Sequence, residues 1–230
     1  MNKRFFWTCA LLLGLISVGS RSVDAAPIAL TNGDFEAASV PLGWTFFTTP
    51  NGSPGPCCLP DATPFDVDGD TVVSLAARFQ VGQVVFEDGI PAGGGILQNF
   101  VSGAGPLLLS ADIASRETRG LINNAGGAIS LILDGVTVAS HDFGSIAGGT
   151  TERAILSAIV PVTAGSHEIR FLVTRPFLAG AFGLNPWQFI DDVVLELPEA
   201  RRVPEPASLL LLGSGLAACL YRRCRRKPLS

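Results

Sequence analysis

Lysine is missing from residues 26–203. That stretch holds eight arginines, at 78, 116, 119, 153, 170, 175, 201 and 202, against 18 acids, a net charge of −10. A body this acidic lacks the basic footprint that a phosphate backbone requires, which excludes nucleic acid as a partner. It suits an exported domain that holds cations. Histidine is scarce too: His141 and His167 are the only two, and neither stands in a metal-ligand spacing. There is no Gly-x-Ser-x-Gly elbow, phosphate cradle or dinucleotide fingerprint, and Gly93-Gly94-Gly95 leads into a strand with no helix after it. Glu87-Asp88 pairs two carboxylates, but adjacency in sequence gives them no opposed geometry for cleaving a glycoside. The sequence therefore reads as non-enzymatic, with a secreted glycoside-active hydrolase as the minor alternative.

Cysteines are few and badly placed for a framework. Cys9, Cys219 and Cys224 fall in the terminal segments; Cys57 and Cys58 are adjacent in a proline-rich loop, a spacing at which two thiols rarely bond to each other. No amphipathic helix, internal repeat or long charge run breaks the middle of the chain.

Long apolar runs occur only at the ends. Met1–Ala25 begins with Lys3 and Arg4, continues through an apolar run from Phe5 to Val18, and finishes in Val23-Asp24-Ala25. This is the pattern of a signal peptide, cut by signal peptidase after Ala25. At the other end Pro204-Glu205-Pro206 precedes an apolar stretch expected to be helical over about residues 207–221, followed by Arg222, Arg223, Arg225, Arg226 and Lys227. Pro206 suits a helix start. Fifteen helical residues span roughly 22 Å, short of the ~30 Å hydrocarbon core, and snorkelling arginines make up part of the gap. The cations at 222–227 put that end in the cytoplasm and the body outside.

Pro204-Glu205-Pro206, the apolar run with its Gly213-Ser214-Gly215 break and the terminal cations resemble the bacterial PEP-CTERM sorting signal, over residues 203–230. The resemblance implies an exosortase-type membrane protease as partner, cleavage near the Pro-Glu-Pro motif, and passage from a transient membrane anchor to the cell surface or extracellular matrix.

Between these segments, residues 26–202 read as one β-sandwich domain of about nine antiparallel strands. Turn residues punctuate short β-branched or aromatic stretches at intervals of about 8 to 12 residues. Ala128–Leu133 and Val136–His141 flank Asp134-Gly135, which supplies the positive φ angles of a tight hairpin. Ser166–Thr174 alternates Ile169, Phe171 and Val173 with Glu168, Arg170 and Thr174. Further strands are expected at 71–78, 83–87, 95–101, 106–114, 151–160, 187–197 and around Trp44. In the last of the long strands, alternation groups Trp187, Phe189, Asp191, Val193 and Leu195 on the core face, where an ionised Asp191 needs a partner.

Thr31-Asn32-Gly33-Asp34-Phe35-Glu36, Gly43-Trp44 and Trp187-Gln188-Phe189-Ile190-Asp191-Asp192-Val193 together resemble jelly-roll domains of the galactose-binding-like and carbohydrate-binding-module type. That resemblance implies a structural calcium joining the first and last strands, with Glu36 and Asp191 as ligands and Asp192 and Asp34 beside them. The residues themselves leave open a salt bridge to Arg78 or Arg170, or a polar cap. Asp66-Val67-Asp68-Gly69-Asp70 departs from an EF-hand loop and reads as a solvated turn. The resulting expectation is a surface module binding carbohydrate of the exopolysaccharide. Trp187, Phe182 and Trp44 are its candidate stacking platforms, with Arg175 and Asn123 as hydrogen-bonding groups. The alternative is a structural or adhesive matrix protein.

Overall fold

The computed structural model describes residues 26–37, 42–56, 60–179 and 185–197. The signal segment, Cys57-Cys58, Phe182 and the whole tail, including Pro204-Glu205-Pro206 and the expected helix, lie outside these. Among the described residues thirteen strands follow one another: β1 (Ala26–Pro27), β2 (Thr45–Thr48), β3 (Gly52–Ser53), β4 (Asp61–Phe65), β5 (Ser74–Phe79), β6 (Gly82–Gln83), β7 (Ala92–Ser102), β8 (Gly105–Arg116), β9 (Ala128–Leu133), β10 (Val136–Asp142), β11 (Thr151–Val162), β12 (Gly165–Arg175) and β13 (Trp187–Leu197). One sheet runs β11-β8-β13-β5-β4, with β1 added against β13; the other runs β10-β9-β12-β7-β2. All of these strand pairings are antiparallel, and the chain is a jelly-roll β-sandwich.

Alternation builds the core. Ile169, Phe171 and Val173 of β12 are fully buried against Ile129 and Leu131 of β9, Ile96 of β7 and Leu107, Leu109 and Ile113 of β8, while Glu168 and Arg170 face out. The β9–β10 turn forms as its Asp-Gly pair requires, with φ of 49° at Asp134 and 80° at Gly135. Asp134 also anchors β12: its carboxylate accepts from Glu168 N at 2.9 Å and contacts His167 Nδ1 at 2.7 Å, while His167 Nε2 meets Thr163 O at 2.9 Å.

Two expectations change. Residues 84–87 do not continue a strand: β6 ends at Gln83, and Val84, Val85 and Phe86 stand exposed in a loop. Trp187–Leu197 forms a strand throughout, but its alternation breaks. The register with β8 slips between Asp191 and Val194, and Asp192 takes a φ of 46°. This bulge rotates the strand, so that Ile190, Val193 and Leu195 enter the main core. Trp187, Phe189 and Asp191 are turned to the outer face of the first sheet, not to the core.

That outer face carries its own small apolar cluster of Phe65, Val67, Ala76, Ala114 and Phe189, with Trp187 packed beside it. Phe65 stacks on Phe189 with ring centroids 3.8 Å apart. Val67 brings residues 66–70 back over the sheet, and Arg153 of β11 holds them there by donating to Asp66 O at 3.0 Å.

Candidate functional site

The bulge gathers acids that the sequence places far apart. Asp191 is 1% exposed; its Oδ2 accepts from Ser74 Oγ at 2.6 Å and its Oδ1 from Asp192 N at 2.8 Å. Glu36 reaches the neighbouring backbone, where its Oε1 accepts from Leu75 N at 2.7 Å. Asp112 of β8 stands opposite Asp191 in the sheet register. Residues 66–70 form successive side-chain-capped turns, with Asp66 Oδ1 accepting from Gly69 N, Asp68 Oδ1 from Asp70 N and Asp70 Oδ1 from Val72 N. One ligand oxygen from each of Asp66, Asp68 and Asp70 lies within 4.8 Å of the others.

Charge accumulates accordingly. Burial, followed by repulsion from Asp192 and Glu36, pushes Asp191 up to about 7 against the pull of its two hydrogen bonds. Burial raises Asp192, with Asp68, Asp34, Glu36 and Asp70 adding to it. Asp112 is raised by burial and by Asp192 and Asp68. Asp34, Glu36, Asp191 and Asp192 feel one another and residues 66–70 electrostatically, but among the described residues only Asp66, Asp68 and Asp70 bring ligand oxygens within 4.8 Å of one another. Arg78 and Arg170 do not serve these acids. Arg78 Nε donates to Asp61 Oδ1 at 2.8 Å, and Arg170 Nη2 to Glu168 at 2.7 Å. Among the described residues one cation, Arg153, touches the cluster, 3.6 Å from Asp66 Oδ2. The three closely spaced carboxylates of Asp66, Asp68 and Asp70 fit a hard cation such as calcium.

Further along the same face the charge reverses. Trp187 is half-buried with the Arg78 guanidinium 4.3 Å above its ring, and its register partner on β8 is the exposed Arg116. Arg116 also lies 5.7 Å from the Phe65 ring, and no ion pair holds it among the described residues. Arg78 covers one face of the indole and is already paired with Asp61, so Arg116 is the guanidinium left beside the ring's exposed part to bind a carboxylate or hydroxyls.

The tail matches the family model for the PEP-CTERM protein-sorting motif over residues 202–227. The chain carries a PEP-CTERM sorting motif. No curated protein matches the chain. Solved structures resemble the sandwich at low identity. TmCBM61 in complex with β-1,4-galactotriose shares 14% identity over 74% of this chain and 98% of its own, with a TM-score of 0.40. The K3 cleaved adhesin domain of Lys-gingipain from Porphyromonas gingivalis shares 13% over 74% and 99%, with a TM-score of 0.41. The carbohydrate-binding module CBM36 in complex with calcium and xylotriose shares 16% over 66% and 98%, with a TM-score of 0.29.

The remaining described candidates are not exposed binding groups. Trp44 is not a platform. It is 3% exposed, stacked on Phe35 at 5.6 Å, and donates Nε1–H to Asn32 O at 3.0 Å. Arg175 is 2% exposed and turned inward, donating Nε to Ala125 O at 2.8 Å, and burial lowers its pKa to about 10. Asn123 accepts from Ala125 N and from Arg175 through Oδ1. These two residues brace the β8–β9 loop. Sequence reasoning missed Arg116 and Asp112 as site residues. Their shared parity on β8, four residues apart, was the available signal, but the face they share becomes visible only when β13 is laid beside them.

Proposed function

We propose that this chain is an exported cell-surface module that binds extracellular polysaccharide without catalysis. It reaches the surface or matrix after an exosortase-type protease acts near Pro204-Glu205-Pro206. The sorting motif supports the address. The observation that carries the binding half is Trp187 beside Arg116 on an outer sheet face, an arrangement suited to an acidic or hydroxyl-rich sugar chain.

Calcium is the proposed cofactor, with Asp66, Asp68 and Asp70 as its donors and Asp191, Asp192, Asp34, Glu36 and Asp112 adding negative charge around it. When bound, the ion would supply positive charge where the fold concentrates carboxylates. Asp66, Asp68 and Asp70 would bring segment 66–70 to it, while the charge of Asp34 and Glu36 would draw in the N-terminal segment and that of Asp191 and Asp192 the bulge of β13. The sheet face carrying Trp187 would then be held rigid.

Retention of the exported protein on polysaccharide extracted from its own matrix tests this reading. Trp187→Ala is expected to weaken retention about tenfold, the worth of one aromatic anchor at ~1.4 kcal/mol. Absence of retention by the unaltered protein overturns the binding role; equal retention by the Trp187 variant moves the site elsewhere.

A further inference from the structure

Four strands end the two sheets, and three of them are protected. β4 has five residues and includes Pro64, β2 has four, and β10 has seven with a register shift at Val138. Short length, proline and bulges are the usual devices that keep a sheet edge from pairing with another chain. β11 has none of them in its central stretch. Its 12 residues pair with β8 in unbroken register from Thr151 to Val162, and β8 is its one ladder partner among the described residues. The only charges are Glu152 and Arg153 at one end, and the only proline is Pro161 near the other. Ile155 and Ile159 are 69% and 67% exposed on its outer face, and Ala154, Ala158 and Val160 remain partly open on the inner face.

We propose that β11 is a self-pairing edge, with a second copy of this chain as its occupant. The sequence around Ser157 is matched to its own reverse. An antiparallel pairing on a two-fold axis through Ser157 sets Ile155 opposite Ile159 and Ala154 opposite Val160. It also sets the larger Leu156 opposite the small Ala158, and serine opposite serine. Both isoleucine pairs lie on the outer face and are covered together. The same register separates like charges: Glu152 faces Val162 and Arg153 faces Pro161, so the two copies of Glu152 lie about ten residues, ~34 Å, apart. A foreign strand would have no reason to find this symmetry.

Pairing of this kind has a directional consequence. The chain enters at β1 and leaves at Leu197 on the same end of the sandwich, where Ala26 pairs with Leu197. Antiparallel union at β11 points the two tails in opposite directions. It therefore joins copies on facing surfaces, or copies freed by sorting, rather than neighbours on one membrane. This property is independent of carbohydrate binding.

The test uses the exported chain purified in detergent. Sedimentation is expected to show a dimer for the unaltered protein and a monomer for Ile155→Lys/Ile159→Lys, with the thermal transition of the domain retained. Ser157→Cys is expected to form a disulfide-linked dimer under mild oxidation, because directly opposed residues lie about 4.5–5.5 Å apart at Cα. Glu152→Cys, in the same native cysteine background, is expected not to add a bridge. A monomeric unaltered protein with no Ser157→Cys bridge overturns the proposal, as does bridging that is equal at 152 and 157. A complex with a different protein that the double lysine variant abolishes overturns self-pairing in favour of a foreign strand.

Discussion

Asp191 sets the pH behaviour expected of the molecule. Its folded pKa, about 7, lies above its ordinary value of 3.8. Between these values the folded state binds the extra proton, so stability falls as pH rises from about 4 through 7. In chelator, thermal unfolding is expected to occur at lower temperature at pH 8 than at pH 5, and Asp191→Asn is expected to flatten that slope. Added calcium favours the ionised carboxylates, so its stabilising shift is expected to be largest above pH 7. A calcium shift independent of pH would contradict the proposed calcium site. His167 shifts in the same direction for a different reason. Donation from its ring to the Asp134 carboxylate, and to the Thr163 carbonyl, raises its pKa, so the contribution of the protonated ring is complete below about 6.5 and is lost as pH climbs through the raised value. Burial works against ionisation of Asp134, but the bonds from His167 and Glu168 N outweigh it and lower its pKa. Asp134→Ala is expected to shift the His167 titration, followed by NMR, to lower pH; an unchanged midpoint would remove the pair from the account. At this scale the sequence was legible where one strand sufficed. His167 shares the inward parity of Ile169, and it is a satisfied residue at the rim of the core. Trp44 and Arg175 misled because exposure depends on neighbours that a single segment does not reveal: Phe35 and Phe171 close over one, and the Ala125 carbonyl captures the other.

At the scale of elements, periodicity located most long strands to within a few residues, and Ala128–Leu133 and Trp187–Leu197 have the bounds expected. What it could not supply was phase. A period-two pattern continues through Asp191-Asp192 unless one residue leaves the ladder, and that residue is an aspartate at positive φ whose neighbours come from segments more than 70 residues away. The same non-locality hid the union of residues 66–70 with β13. A short strand fared worse: Asp61–Phe65 contains a proline and is tolerated only as an edge. Gly95 gives an element-level test. A Cβ there would collide with the carbonyl oxygen of Phe171 on the adjoining strand, which is backbone and cannot swing aside. Gly95→Ala is therefore expected to destabilise the domain by ~3 kcal/mol, read by denaturant unfolding. A change below 0.5 kcal/mol would mean that β7 and β12 are less closely joined than described.

For the whole molecule, the decisive relation is between the two ends of the chain and the domain they enclose. β1 begins at Ala26, the residue after the expected signal cleavage, and is paired from that residue onward, with Ile28 N donating to Leu195 O at 2.8 Å. Leu197 and Pro204 are seven residue steps apart, a reach of at most ~25 Å. Under the proposed anchoring so short a link would keep the sandwich close to the membrane, and the proposed cut near the sorting motif would free it. The central claim is that the acidic sandwich works outside the cell after losing both terminal segments. Intact-mass measurement of native protein taken from the cell surface or matrix tests this most directly. The account predicts a single species that begins at Ala26 and lacks residues 222–230; a mass that still includes the terminal arginine cluster would contradict it.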